Sequence, residues 1–193
     1  MTIRKALASI CAIAAVAVFC TGSRAAAAEP RYQRTVETYS IPDVVLVNQD
    51  GEKVPFRNYL GTDKPVMLDF IYGTCTTICP VLSATFVNFQ RKMGGDSSKF
   101  RLVSISIDPE NDTPKIMKDY LKKYRARPGW DFLTGSRADI DQVMKAFSAY
   151  IPNKMYHYPL TLIRSPKDGR WTRIFGLMSS SELMAEYRKV TEP

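Results

Sequence analysis

The chain has 193 residues, of which 45% are hydrophobic and 24% charged, and its formal net charge is +8. This length and composition predict one compact α/β domain with an additional segment at one end. Such a domain buries roughly 70% of its unfolded surface and needs no disulfide to fold. Its cysteines are therefore expected to have a functional role rather than a structural one. The basic residues form neither a long run nor an aromatic-basic stripe, which gives no support to nucleic-acid binding.

The first 28 residues have the pattern of an export signal. Arg4 and Lys5 precede an apolar stretch over 6–20, and small residues over 25–28 form an A-x-A cleavage site. About 15 apolar residues are few for a membrane span, although an anchor retained in the inner membrane is the alternative. We therefore predict export to a bacterial periplasm.

Cleavage would leave Cys75 and Cys79 as the only cysteines, a self-contained pair. It would also remove three of the 27 basic residues, leaving 24 against 19 acidic residues and a net charge of +5. Such a small positive net charge is typical of a solvated surface. Binding to an acidic partner or to a membrane surface is the alternative.

Residues 29–40 are polar and predict a flexible lead-in to a domain over 41–193. The apolar run over 66–72 is short and rich in β-branched and aromatic residues, which predicts a buried strand. The predicted elements up to Gly94-Gly95 are a hairpin of strands 44–47 and 53–56, the central strand 66–72 and a helix from Cys75 to Met93.

The second half of the chain alternates strands with capped helices. Thr113 before Pro114, Ser136 before Asp139, and Ser179 before Glu182 are helix-start patterns. The predicted elements are strand 100–107, helix 114–125, strand 130–133, a helix from 137 to Pro152, a hairpin of strands 160–163 and 170–175, and a final helix after Ser179. This order predicts an α/β sandwich with a mixed central sheet.

Cys75 and Cys79 follow a central strand, where α/β sheets place their sites. At a spacing of four on the predicted helix both sulfurs lie on one face, and the positive helix end favours thiolate. A structural disulfide would close a very small loop worth roughly 2 kcal/mol at best, which leaves a redox dithiol or a pair of metal thiolates.

His157 is the only histidine. A lone histidine is usually a satisfied surface or core residue, but this one precedes the strand predicted to lie beside the cysteine helix. Two thiolates and one imidazole form a soft ligand set that suits copper, whereas zinc prefers four ligands.

Four ordered blocks resemble the Sco/SenC family over residues 40–190. They are Cys-x-x-x-Cys-Pro at 75–80, the segment 105–114, Trp-Asp-Phe-Leu-Thr-Gly at 130–135, and His157 ahead of Ser-Pro-Lys-Asp-Gly at 165–169. The resemblance implies a thioredoxin-like fold, with a mixed central sheet flanked by helices, an N-terminal hairpin and an inserted segment.

The resemblance also implies a function. Family members deliver copper, or reducing equivalents, to the dinuclear copper centre of cytochrome c oxidase, and the match makes Cys75, Cys79 and His157 the ligands of Cu(I) or Cu(II). The implied partners are the copper-bearing oxidase subunit and another periplasmic copper chaperone or a thiol reductant.

Two further residues resemble thioredoxin positions. Pro159 precedes a strand similar to the one that follows the cis-proline of thioredoxins, but a proline at the first position of a strand is the alternative. Asp69 is similar to the buried aspartate that manages the proton of the resolving thiol, and pairing with a lysine such as Lys64 is the alternative.

Two hypotheses remain. In the first, the protein is a copper metallochaperone. In the second, it is a thiol–disulfide oxidoreductase in which Cys75 attacks, Cys79 resolves the mixed disulfide, and Asp69 and Pro159 assist. The three-residue spacer and the position of His157 favour the first.

Overall fold

A computed structural model describes residues 31–94 and 96–192. The predicted export signal or anchor over 1–28 and the first part of the lead-in lie outside these residues. No helix within the described ranges has the length and apolar character needed to span a membrane.

A six-stranded mixed sheet forms the centre of the molecule, in the order β1-β8-β7-β4-β5-β6. Strands β4, β5 and β6 are parallel, whereas β7, β8 and β1 extend the sheet with antiparallel neighbours. The strands are β1 (Gln33–Glu37), β4 (Val66–Ile71), β5 (Arg101–Ser106), β6 (Trp130–Leu133), β7 (Leu160–Arg164) and β8 (Trp171–Phe175), and β2 (Val45–Val47) pairs with β3 (Lys53–Pro55) as a separate hairpin. The predicted mixed sheet and N-terminal hairpin are confirmed.

The helices are α1 (Phe56–Leu60), α2 (Cys79–Lys92), α3 (Pro114–Lys123), α4 (Arg137–Ala146) and α5 (Ser180–Thr191). Alternation along β4 sends Asp69 to one face of the sheet and Phe70 to the other. On the Phe70 side, Phe147 after α4 packs edge-on against Phe70. On the Asp69 side, Phe86 of α2 packs against Trp130, so helices cover both faces.

All six residues of β4 are buried, which agrees with the continuous apolar run that predicts a central strand. The predicted caps are also confirmed. The side chains of Thr113, Ser136 and Ser179 each accept a hydrogen bond from a backbone N–H in the first turn of α3, α4 and α5, and Ser179 with Glu182 forms a complete capping box.

The prediction of a flexible lead-in is wrong over Gln33–Glu37, which forms the edge strand β1 beside β8. Its side chains are almost all exposed, so the polar sequence carries no apolar alternation to reveal a strand. The fourth helix also ends earlier than predicted, at Ala146, because Ser148 adopts a left-handed backbone with φ of 51°.

Candidate metal centre

The cysteine loop, residues 72–78, joins the carboxyl end of β4 to α2 and is held by a neighbouring carboxylate. Gly73 N donates to both carboxylate oxygens of Asp112, at 3.1 and 3.2 Å, and the Ser106 hydroxyl donates to the same group at 2.5 Å. A Cβ on Gly73 would lie 2.8 Å from Asp112 Oδ1, so only glycine permits this approach. The loop conformation is therefore set by the segment that follows β5.

The helix predicted to begin at Cys75 begins instead at Cys79, and Cys75 lies in the preceding loop. Ile78 is the N-cap residue of α2, but its apolar side chain makes no capping hydrogen bond. Pro80, in the first turn, has no backbone N–H. Cys79 N instead donates to Cys75 Sγ at 3.5 Å, so the sulfur serves as the acceptor at the helix start. The two sulfurs are brought together by a capping contact rather than by sharing a helix face.

The two thiols have different acidities. Burial raises the pKa of Cys75, but hydrogen bonds from Cys79 and Thr77 outweigh it and bring the pKa down to about 7. Burial, together with the hydrogen bond to Cys75, raises the pKa of Cys79. Both cysteines are free, with Cys75 7% exposed and Cys79 fully buried. Near neutral pH, Cys75 is partly ionised to the thiolate, whereas Cys79 keeps its proton.

Asp69 lies on β4, on the face that packs against α2. It is fully buried, and neither carboxylate oxygen has a hydrogen-bond partner. Burial raises the pKa of Asp69 to about 7. Ser104 is its partner in register on β5, and the Ser104 hydroxyl lowers this pKa, but by less than burial raises it. The negative charge of Asp69 also contributes to the raised pKa of Cys79. The alternative, an ion pair with Lys64, is not formed, and Lys64 donates to the Ser97 carbonyl instead.

His157 follows a 3-10 turn over Lys154–Tyr156 that sequence reasoning did not predict. Its Nε2 atom is buried without a hydrogen-bond partner. Burial lowers the pKa of the imidazole to about 4, partly offset by a hydrogen bond to the backbone of Phe70. The ring is thus neutral at physiological pH, the state in which histidine binds metals.

Tyr72 is a neighbour of both His157 and Cys75. Its ring centroid lies 6.2 Å from that of His157. Burial and then the neighbouring Cys75 sulfur raise the pKa of Tyr72 to about 12. Within the described residues, however, no three His, Cys, Asp or Glu side chains lie close enough together to hold a metal ion. The structure therefore brings Cys75 and Cys79 together but leaves His157 outside ligand distance.

The peptide bond before Pro159 is trans, because the described residues contain no cis peptide bond, so the prediction of a cis-proline is wrong. Pro159 directly precedes β7, and its carbonyl accepts a hydrogen bond from Gly176 N at 3.0 Å. Because Pro159 stands ahead of the strand, its missing N–H removes no hydrogen bond from the sheet. This agrees with the alternative explanation, a proline at the start of a strand.

Sequence reasoning missed three residues at the site. Tyr72 could have been found from its place at the end of the central strand, and Asp112 from its place in a motif block. Lys154 gave no signal, yet its ammonium forms an ion pair with the buried Asp108 and lies 5.4 Å from the centroid of the Tyr72 ring. These contacts fix the turn that carries His157.

The SCO1/SenC family model matches residues 33–190. The SCO1 protein homolog of Bacillus subtilis is 35% identical over 116 residues, which is 58% of this chain and 59% of that protein. The chain therefore spans less than two thirds of the length of that curated relative.

Two solved structures are also similar. One is BsSco, a member of the Sco family of cytochrome c oxidase assembly proteins in which a disulfide switch was identified. It is 27% identical, with a TM-score of 0.67 over 80% of this chain and 94% of that one. The other is copper-bound ScoI of Bradyrhizobium japonicum, which is 29% identical, with a TM-score of 0.63 over 78% of this chain and 99% of that one.

Proposed function

The chain belongs to the SCO1/SenC family, and on that premise we propose that it is an exported copper metallochaperone for cytochrome c oxidase. Copper is its cargo, held by the thiolates of Cys75 and Cys79 and the imidazole of His157 and passed to the subunit that carries the dinuclear copper centre. Another periplasmic copper chaperone would supply the metal, and the predicted signal would direct the export.

Similar proteins support the copper assignment. The ScoI structure of Bradyrhizobium japonicum contains bound copper, and BsSco belongs to a family of oxidase assembly proteins. Both superpose on this chain over most of its length and more than 90% of their own.

The observation that carries the proposal is the buried, unpartnered Nε2 of His157. Its ring packs against Tyr72, the first residue of the loop that carries the reduced cysteine pair. A buried polar atom without a partner is costly, and a metal ion would satisfy it. Cys75 is already partly ionised near neutral pH, whereas Cys79 must release its proton on binding.

Copper binding by all three residues requires the segment before β7 to move toward the cysteine loop. Tyr72 contacts the His157 ring, and its hydroxyl lies 4.0 Å from the sulfur of Met155. Rotation of the Tyr72 ring, or a shift of the 3-10 turn over Lys154–Tyr156, would let the imidazole approach the sulfurs.

The test is a Cu(I) titration of the reduced full chain against a competing chelator. We expect one copper per chain and an affinity that falls at least on the order of tenfold in His157→Ala. Tyr156→Phe, at an exposed neighbour, is the matched control and should bind as the native chain does. Equal affinity in His157→Ala and the native chain would overturn the three-ligand assignment.

A thiol–disulfide oxidoreductase is the second candidate, and the asymmetry of the two thiols favours it. Cys75 has the lowered pKa of an attacking thiol, and Cys79 is buried and protonated next to the high-pKa carboxyl of Asp69. Its role would be to keep the cysteines of the oxidase copper site, or other periplasmic thiols, reduced. Pro159 would contribute only as the residue before β7.

The same variants separate the two candidates. Disulfide exchange needs Cys75 and Cys79 but not the imidazole, so His157→Ala should reduce a small-molecule disulfide at the native rate. If His157→Ala binds copper normally and the native chain reduces disulfides rapidly, the oxidoreductase assignment replaces the metallochaperone.

A further inference from the structure

Met155 exposes a thioether beside Tyr72 of the cysteine loop. It is 71% exposed and is the only methionine among the exposed large hydrophobic residues of the described ranges. Its sulfur lies 4.0 Å from the hydroxyl of Tyr72. Thioether sulfur is a soft ligand that selects Cu(I).

The backbone fixes the position of this thioether. Asn153 Oδ1 accepts a hydrogen bond from Met155 N at 2.9 Å, which caps the 3-10 turn. Lys154 anchors the same turn through its ion pair with Asp108. This pairing also offsets the charge of the ammonium, so Lys154 repels a metal cation at Met155 less than an unpaired lysine would.

Tyr72 contacts both Met155 and Cys75. Its hydroxyl lies 4.0 Å from the Met155 sulfur, and its carbonyl accepts a hydrogen bond from Cys75 N at 3.2 Å. Met155 is exposed, Tyr72 is 7% exposed, Cys75 is 7% exposed and Cys79 is fully buried. Exposure therefore falls from Met155 at the surface to Cys79 in the interior, with Tyr72 and Cys75 in between.

We propose that Met155 is an outer Cu(I) ligand, which captures the ion at the surface and passes it beyond Tyr72 to Cys75 and Cys79. This inference rests on the proposed copper function. Copper remains Cu(I) throughout. The bond to the thioether breaks as the bond to the Cys75 thiolate forms, and Cys79 releases its proton to solvent when it binds.

The experiment measures how fast the reduced full chain takes Cu(I) from the coloured bicinchoninate complex, followed by stopped-flow loss of colour. Met155→Leu removes the sulfur but keeps the volume, and uptake should slow on the order of tenfold with unchanged final stoichiometry. Met93→Leu is the control, because Met93 lies at the opposite end of α2, about 21 Å from its start. Uptake by Met155→Leu at the native rate would overturn the proposal, and so would a lower final stoichiometry, which would make Met155 a permanent ligand.

A second readout tests contact with the metal directly. Dilute peroxide converts an exposed methionine to its sulfoxide. In the Cys75→Ser/Cys79→Ser variant, Ag(I), a soft ion without redox chemistry under these conditions, should slow oxidation of Met155 but not of Met93, as measured by mass spectrometry. Equal oxidation of Met155 with and without Ag(I) would contradict the outer ligand. Failure of the proposed function is distinguished by a different result, full copper binding by this double variant.

Discussion

At the scale of single residues, Asp69 carries a carboxyl group whose burial costs free energy whenever it is ionised. Its carboxyl is fully buried with two unpartnered oxygens, and burial raises its pKa from 3.8 to about 7. The folded chain therefore binds this proton more tightly than the unfolded chain does. The favourable effect is complete below the unfolded pKa and is lost as pH rises through the folded one.

We predict that Asp69→Asn stabilises the protein, and more so at high pH. The shift corresponds to a destabilisation on the order of 4 kcal/mol once the native carboxyl is fully ionised. Urea unfolding should show a larger gain at about pH 8 than at about pH 5. Asp168→Asn is the control, because Arg170 lowers the pKa of that exposed carboxyl, and it should show no gain that grows with pH. A gain for Asp69→Asn independent of pH would contradict the shift.

At the scale of elements, strand β1 is held by one buried carboxylate of α5. Glu186 is 1% exposed and accepts hydrogen bonds from Tyr32 at 2.9 Å, Arg34 at 2.8 Å and Lys189 at 2.7 Å. Burial alone would raise its pKa, but these donors lower it. Its stabilising contribution is therefore present above the unfolded pKa and lost as pH falls through the folded one.

Glu186→Gln should loosen β1 without unfolding the rest of the sheet. Removing the charge while keeping the shape should cost about 1–3 kcal/mol, since hydrogen bonds to charged groups are the stronger ones. Hydrogen exchange should accelerate in Gln33–Glu37, and β4 should stay protected. Glu192→Gln, at the exposed end of α5, serves as the control. Native-like exchange in β1 of Glu186→Gln would show that backbone pairing with β8 is sufficient.

These contacts explain which elements the sequence could predict. Strands with continuous apolar runs and helices with Ser or Thr caps follow from local patterns, and they were predicted correctly. Strand β1 has no such pattern, because its partners, β8 and a carboxylate of α5, lie more than 130 positions later in the chain. The start of α2 was misplaced for a similar reason. The loop before it depends on Asp112, which no local pattern connects to Gly73.

The site shows the same division between local and distant information. The sequence was enough to single out the cysteine pair and a buried acid on β4, whereas the role of His157 as a third ligand stays a prediction. The contacts of Tyr72 with Met155 and His157 could not, because they join the end of β4 to a turn more than 80 residues away.

At the scale of the whole molecule, the site exists only in the folded chain, because its groups come from distant segments. A ligand that binds only the folded state stabilises it by about 2.7 kcal/mol at a free concentration of 100 times its Kd. Cu(I) should therefore raise the melting temperature of the reduced native chain and much less that of Cys75→Ser. An equal rise in both would mean that copper binds elsewhere.

Strand β1 runs antiparallel to β8, and Gln33 pairs with Phe175, which in turn pairs with Leu160. The chain therefore enters the sheet at the same end from which β4 delivers the cysteine loop. Across three strand spacings, that entry lies about 14 Å to the side of β4. The segment before residue 31 therefore joins the described domain at the edge of the sheet that also carries the cysteine sulfurs.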